Sequence, residues 1–260
     1  MEDLARAGYL AKGVVYLLIG LLAFQAAAGV GGAVTGPEGA FVTILRQPLG
    51  RVLLGLTAVG LSCYAVWRLF CALFDPERRE DDVKRLFVRL GYAGSGLAHA
   101  GLALEAARLA LGHYGAGAGG ERAESWTARL LDAPFGPWLV GAVALGVAGY
   151  GAAQIVRGLS RKVEERLRLG ELAPDERRLV VRVGRVGTVA RGIVFGIIGV
   201  LLMRAAVRHD PEEAGGLGDA LGTLAQQPYA PVLLGSMALG LGAYGAYQLV
   251  KARYRVIAAG

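Results

Sequence analysis

Two stretches of the chain, Val52 to Trp67 and Val232 to Val250, contain no charged side chain and are apolar around the whole helical circumference. A soluble helix buries one stripe and wets the other, so segments of this kind fit a bilayer or a very large core. In 260 residues, 54% of them hydrophobic and 41 of them glycine, there is too little polar material to wrap several such helices in water. A hydrocarbon core of about 30 Å takes about 20 helical residues to cross. Six segments approach that length, at 8–29, 50–73, 90–111, 136–157, 187–207 and 229–250. The expected fold is all-α: a polytopic protein of six transmembrane helices with the lipid bilayer as its surroundings.

The net charge of +7 raises the question of nucleic acid, but the basic residues follow topology rather than forming one binding face. Of the 28 Lys and Arg residues, 21 fall at the N-terminus, in the two longer linkers and at the C-terminus, and seven in the three alternate loops. The positive-inside bias therefore places both termini on the cytoplasmic side, and no nucleic-acid partner is expected. Glu2 and Asp3 make a poor basic leader, so the first apolar run is read as a retained helix. Cys63 and Cys71 lie eight residues apart on one predicted helix, about 12 Å, too far to bridge.

The chain repeats itself. Arg6-Ala7-Gly8-Tyr9 leads to Gly13, Arg89-Leu90-Gly91-Tyr92 to Gly96, and Arg185-Val186-Gly187-Thr188 to Gly192, at the same spacing. The alternate helices open at Pro48, Pro134 and Pro228 and continue through Gly55, Gly141 and Gly235, then Gly60, Gly146 and Gly240, then Tyr64, Tyr150 and Tyr244, and finally Arg68, Gln154 and Gln248. The prolines are expected in first helical turns, where a missing N–H is tolerated. The glycines are expected at close helix contacts. The chain divides into repeat 1 (1–75), a cytoplasmic linker (76–88), repeat 2 (89–160), a second linker (161–183) and repeat 3 (184–260). Two-helix units enter and leave on one side, which predicts a pseudo-threefold axis along the membrane normal. Between the helices of each pair lies a short amphipathic segment, at Phe41–Leu45, Trp126–Leu131 and Leu221–Leu224, after connectors such as Gly112 to Gly120 and Gly215 to Gly218.

These residues, in particular Arg6 through Tyr16, Gln47-Pro48-Leu49-Gly50-Arg51 and Gly240 through Gly245, resemble the bacterial membrane family called domain of unknown function 1206 over nearly the whole chain. The resemblance implies a three-repeat, six-helix protein of the bacterial cytoplasmic membrane and supplies no activity. The second copy departs most, with Ser95 and His99 where the first has Lys12 and Tyr16.

Ionisable residues inside a span suggest a pathway or site. Lys12, Ser95 and Arg191 occupy one equivalent position, and Gln25, Arg108 and Arg204 another nearer the external end. One reading is a polar ring of Lys12, Ser95 and Arg191 with Arg68, Gln154, Gln248 and the tyrosines Tyr64, Tyr150 and Tyr244, basic and free of carboxylates, suited to a small anion or an anionic lipid. The other has the cations snorkelling and the tyrosines anchoring at the interface. His99 and Glu105 are about 120° apart on one helix, so they do not form an acid–base pair, and Glu105 is better placed to meet Arg108. A proton relay through His99 stays open beside a lone buried histidine. Metal pairs, a phosphate loop, a nucleophile elbow and Cys-x-x-Cys are absent, so neither an enzyme nor a cofactor is expected. Two function classes remain: a bundle that binds or passes a small anion or anionic lipid, and a structural or regulatory membrane protein with a closed core.

Overall fold

A computed structural model describes residues 2–74, 82–113, 119–160, 167–168, 170 and 172–255. Their architecture is helical, with one isolated antiparallel bridge between Leu167 and Arg255. The long helices are α1 (Glu2–Ala27), α3 (Gly50–Phe74), α4 (Asp82–Ala110), α6 (Gly136–Leu159), α7 (Pro174–Arg208) and α9 (Ala230–Tyr254). Short helices α2 (Pro37–Leu45), α5 (Gly119–Leu131) and α8 (Leu217–Ala225) stand at the three amphipathic segments. Five long helices are apolar enough to cross a membrane, which makes this a multi-pass membrane protein. The exception is α4, whose apolar run is diluted by four glycines, Ser95 and His99 and bounded by Arg89 and Glu105.

Helix boundaries differ from the sequence expectation in three places. Helices α4 and α7 begin at Asp82 and Pro174, so the second half of each linker extends a long helix; the linker residues 76–81, 161–166, 169 and 171 lie outside the described set. Of the expected Gly-rich connectors, 114–118 likewise lie outside the described residues, and Gly218 is already inside α8. The prolines do not begin helices. Each sits one residue inside a turn closed by Gly50 N–H to Gln47 O (2.8 Å), Gly136 N–H to Ala133 O (2.8 Å) and Ala230 N–H to Gln227 O (3.0 Å). The residue after the proline is left-handed in every case: Leu49 at φ 60°, Phe135 at 61° and Tyr229 at 64°. Proline followed by a positive-φ residue is the geometry of a type II turn, and a β-branched or bulky residue there is strained.

The packing runs mainly between repeats. Helix α4 lies along α3, α7 along α6, and α1 along α9, which joins the two ends of the chain. One glycine builds all three seams. A Cβ added at Gly13 would come within 2.5 Å of Leu249, at Gly96 within 2.8 Å of Leu69, and at Gly192 within 2.7 Å of both the Gly151 carbonyl and Ile155. In two of the three Arg-x-Gly openings the arginine belongs to the same seam. Arg89 donates to the Ala72 and Leu73 carbonyls (2.6 and 3.0 Å) and Arg185 to those of Gly158 and Leu159 (3.0 and 2.9 Å). They tie down orphan carbonyls at the ends of α3 and α6.

Within the repeats the contacts are unequal. In repeat 1 a Cβ on Gly8 would sit 2.5 Å from Tyr64 Cβ, and one on Gly60 would sit 2.5 Å from Ala11 Cβ. In repeat 3 a Cβ on Gly187 would sit 2.3 Å from the Tyr244 backbone nitrogen, and one on Gly240 2.3 Å from Ala190 Cβ. A Cβ on Gly91, Gly94 or Gly146 of repeat 2 would meet no neighbouring helix within 4 Å, and α4 and α6 barely touch. The main core accordingly draws on α1, α2, α3, α4, α7, α8 and α9 but takes no side chain from α6.

Alanine at the three equivalent glycines separates these environments. Gly8→Ala and Gly187→Ala push a methyl into a neighbouring backbone and should destabilise by about 2 kcal/mol or more. Gly91→Ala should instead stabilise by up to about 1 kcal/mol through helix propensity. Thermal unfolding of the detergent-solubilised variants reads the difference; equal losses at all three positions would show that α4 and α6 are packed together.

Candidate functional site

In repeats 1 and 3 the first helix brings a cation inward three residues after Tyr9 or Thr188, and a tyrosine from a second helix meets it, Tyr64 at Lys12 and Tyr150 at Arg191. Lys12 is 2% exposed and Arg191 3% exposed, deep in helices that cross the membrane. Lys12 Nζ donates to Tyr64 Oη at 3.2 Å, and Arg68 donates to the same hydroxyl through Nε (2.8 Å) and a terminal nitrogen (2.7 Å). Arg191 donates from Nε to Tyr16 Oη (3.2 Å) and from a terminal nitrogen to Tyr150 Oη (2.9 Å). Gln248 Nε2 donates to Tyr244 Oη at 2.6 Å.

Aromatic faces complete the cage. Lys12 Nζ stands 4.6 Å from the Tyr64 ring centre and 5.9 and 5.8 Å from those of Tyr16 and Tyr244. The Arg191 guanidinium is 4.5 Å from Phe195, 5.1 Å from Tyr244 and 5.3 Å from Tyr150. Tyr16 and Tyr244 touch edge to face at 4.8 Å and link the two cation sites. Desolvated cation–π contacts are worth up to about 2 kcal/mol each, so they offset part of the cost of burying charge. His99 lies 4.5 Å from the Tyr64 ring, and its Nδ1 is 2.7 Å from the Ser95 carbonyl; as an N–H donor to that oxygen, a neutral ring carries its proton on Nδ1. Toward the chain termini a further layer stacks Arg255 on Tyr9 and Trp67 (5.1 Å each) and Arg68 on Trp67 and Tyr92 (5.0 and 4.9 Å).

Of the expected ring, Lys12, Arg68, Arg191, Gln248, Tyr64, Tyr150 and Tyr244 are gathered by these contacts, together with His99, which lies outside that expected ring. The hydrogen bonds and ring contacts that build the cluster run through neither the Ser95 hydroxyl, nor Gln154, nor Glu105. Gln154 is buried but accepts from Arg157 at 3.5 Å, and Glu105 is half-buried six residues beyond His99. Tyr16 and Phe195 were not anticipated as members. Their signal was available, because they occupy the position of His99, four residues after Lys12, Ser95 and Arg191. Cys63 and Cys71 are free, as their spacing requires. At the opposite end of the bundle Arg204 and Arg208 pair with Glu213, Arg204 at 2.7 Å.

Two features set the chemistry. Among the described residues no carboxylate pairs with Lys12, Arg68 or Arg191. The hydroxyls of Tyr16, Tyr64, Tyr150 and Tyr244 all accept hydrogen bonds, so each phenolic proton remains to be given. The cluster is rich in donors and poor in acceptors. Gln248, 1% exposed, has an Oε1 with no partner; turning its amide over lets Tyr244 donate to Oε1 and frees the NH2 as another donor. Two open grooves of about 560 and 450 Å³ lie elsewhere, one along α7 and α9 and one along α3 and α4, with apolar linings that include none of the cluster.

Replacing Tyr64 by phenylalanine removes the acceptor of three N–H bonds from two cations and should cost about 3 kcal/mol. Tyr244→Phe loses one neutral partner and should cost about 1 kcal/mol. Thermal unfolding in detergent measures both, and a Tyr64→Phe protein as stable as wild type would show that the hydroxyl does not hold the cations.

Comparison with known proteins agrees with the repeat. The pattern described as Domain of Unknown Function (DUF1206) matches three times, over residues 7–75, 90–161 and 186–255. The chain is 34% identical over 255 residues to "Uncharacterized protein YxxB" of Bacillus subtilis (strain 168), covering 98% of this chain and 91% of that protein. No solved structure matches. With three matches that together span most of its length, and all of them falling on the helix pairs that build the cage, the chain belongs to the Domain of Unknown Function (DUF1206) family.

Proposed function

We propose that this is an anion-binding protein of the bacterial cytoplasmic membrane, in which α4 crosses with the other five long helices and the three helix pairs surround one axis. Both termini lie on the cytoplasmic side, in keeping with the basic linkers. The single observation that carries the reading is the cluster of buried Lys12 and Arg191 with half-buried Arg68, which has unspent phenolic protons and, among the described residues, no carboxylate partner. Uncompensated charge in a low-dielectric interior is costly, and one bound phosphate or carboxylate group supplies both the negative charge and the acceptors. Arg191 and Arg68 offer planar forks and Lys12 a point charge, a combination that suits a tetrahedral or planar oxyanion better than a halide.

The second reading, a structural or regulatory protein with a closed core, draws on the tyrosine hydroxyls and ring faces that already satisfy each cation. The two readings make opposite predictions for Lys12. With an anion bound, Lys12→Gln should weaken binding of inorganic phosphate or sulfate by tenfold or more, about 1.4 kcal/mol, while Lys12→Arg largely preserves it. Calorimetric titration of the purified protein in detergent measures this, with Arg191→Gln as a second variant. If neither phosphate, sulfate nor acetate binds wild type, and Lys12→Met raises the unfolding temperature as removal of a buried charge can, the closed core is correct and anion binding is not the function.

A further inference from the structure

We infer that the anion held by this cluster is the headgroup phosphate of an anionic phospholipid, which enters sideways from the bilayer between α4 and α6; this rests on the anion-binding reading above. The entrance is the seam that repeat 2 leaves open. Gly8, Gly60, Gly187 and Gly240 are buried against their partner helices, whereas Gly91, Gly94, Gly146 and Gly149 face open space. The surrounding positions change in the same sense. Val15 and Val194 are 3% and 0% exposed, while their counterpart Ala98 is exposed; Thr57 and Met237 are 8% exposed each, while their counterpart Val143 is 46% exposed.

What stands behind the opening is the cage. Tyr150, on the α6 margin, is half-buried and holds Arg191, whereas Tyr64 and Tyr244 in the closed repeats are buried. Ser95 and His99 stand on the α4 margin, and His99 meets Tyr64, the hydroxyl that carries Lys12 and Arg68. Gln248, buried with an unpartnered amide oxygen, closes the far side through Tyr244. A solute arriving from water would meet a polar mouth at the end of the bundle. This opening is instead on the flank, and its outer margins are the exposed apolar side chains Leu90, Leu97 and Leu104 on α4 and Leu139 and Leu145 on α6. Such margins suit an acyl chain.

Depth and length agree. Ser95 lies five residues inside the span read from the sequence, about 8 Å below the membrane surface on the terminal side, within reach of a headgroup drawn inward. From Gly91 to Gly101 the open face of α4 runs ten residues, about 15 Å, which is the hydrocarbon depth of one leaflet. The headgroup would meet Arg191 and Lys12 while its chains stay in lipid, so little apolar surface has to leave the bilayer. Repeats 1 and 3, sealed by Gly8 on Tyr64 and Gly187 on Tyr244, offer no such path.

The test uses the full chain, delipidated in detergent and then offered phosphatidylglycerol, phosphatidylcholine or inorganic phosphate, with bound species counted by native mass spectrometry. Wild type should retain phosphatidylglycerol at least tenfold better than phosphatidylcholine. Gly94→Trp and Gly146→Trp fill open space rather than a packed contact, so they should fold, keep phosphate binding and lose the lipid by tenfold or more. Gly222→Trp, at an open position on α8 away from the seam, should keep both. If wild type binds phosphate but shows no preference for phosphatidylglycerol, the lipid proposal fails and anion binding stands; if it binds neither, both fail. Lipid binding unchanged in both tryptophan variants would overturn entry through the seam. A dimer that dissociates when either tryptophan is introduced would mean that a second copy, not a lipid, covers it.

Discussion

Helices in lipid gain nothing from hiding apolar side chains from their surroundings, so cohesion has to come from how closely backbones approach and what they bond to. In this chain that approach is made by one glycine per repeat, Gly13, Gly96 and Gly192, each against the last long helix of the neighbouring repeat. An arginine clamp strengthens two of these seams, Arg89 on the end of α3 and Arg185 on the end of α6. At the corresponding place Arg6 bonds Glu2 instead and leaves its buried Nε without a partner, so the α1–α9 closure depends on helix packing. Because consecutive repeats are held to each other, contact inside a repeat is not needed to keep the bundle together. Repeat 2 can part its own two helices without losing its place.

The same arrangement forces charge into the centre. Positions 12 and 191 face inward because the glycines one residue later face the neighbouring repeat, and on a helix consecutive residues point about 100° apart. Lysine and arginine stand at these positions and, among the described residues, are met by tyrosines rather than by acids. Tyrosine satisfies the N–H groups and offers a polarisable face but leaves the charge standing. Among the described residues no carboxylate neutralises the site.

Runs such as Val52–Trp67 betray the membrane because the bilayer penalises charge residue by residue, and the repeat is visible because its glycines and tyrosines keep exact spacing. The proline turns were not legible: proline is equally at home at the first helical position and inside a turn, and only the left-handed Leu49, Phe135 and Tyr229 after it decide between them. Tyr16 and Phe195 escaped notice because an aromatic residue in a span reads as an interfacial anchor until a cation is seen against its face. Gln154 shows the opposite failure. Its spacing matches Gln248, but α6 is displaced from α4, and its amide meets Arg157 rather than a cage tyrosine.

That displacement has a cause in side-chain size. Where α1 and α7 present Ala11 and Ala190, Lys12 and Arg191, Val15 and Val194 toward their partner helices or the centre, α4 presents Gly94, Ser95 and Ala98. Every substitution is to a smaller residue, and each removes atoms that would otherwise reach across the seam. Individual dispersion contacts are worth only about 0.1–0.2 kcal/mol, but a helix face thinned at three positions over two turns loses many at once. Gly146 on the facing helix is the same residue as Gly60 and Gly240, but α6 is thinner as well, with Val147 where α3 and α9 have the buried Leu61 and Leu241. The helix that is too polar to register as a span is thus also a helix too slender to close its own repeat, and Gly94, Ser95 and His99 contribute to both properties.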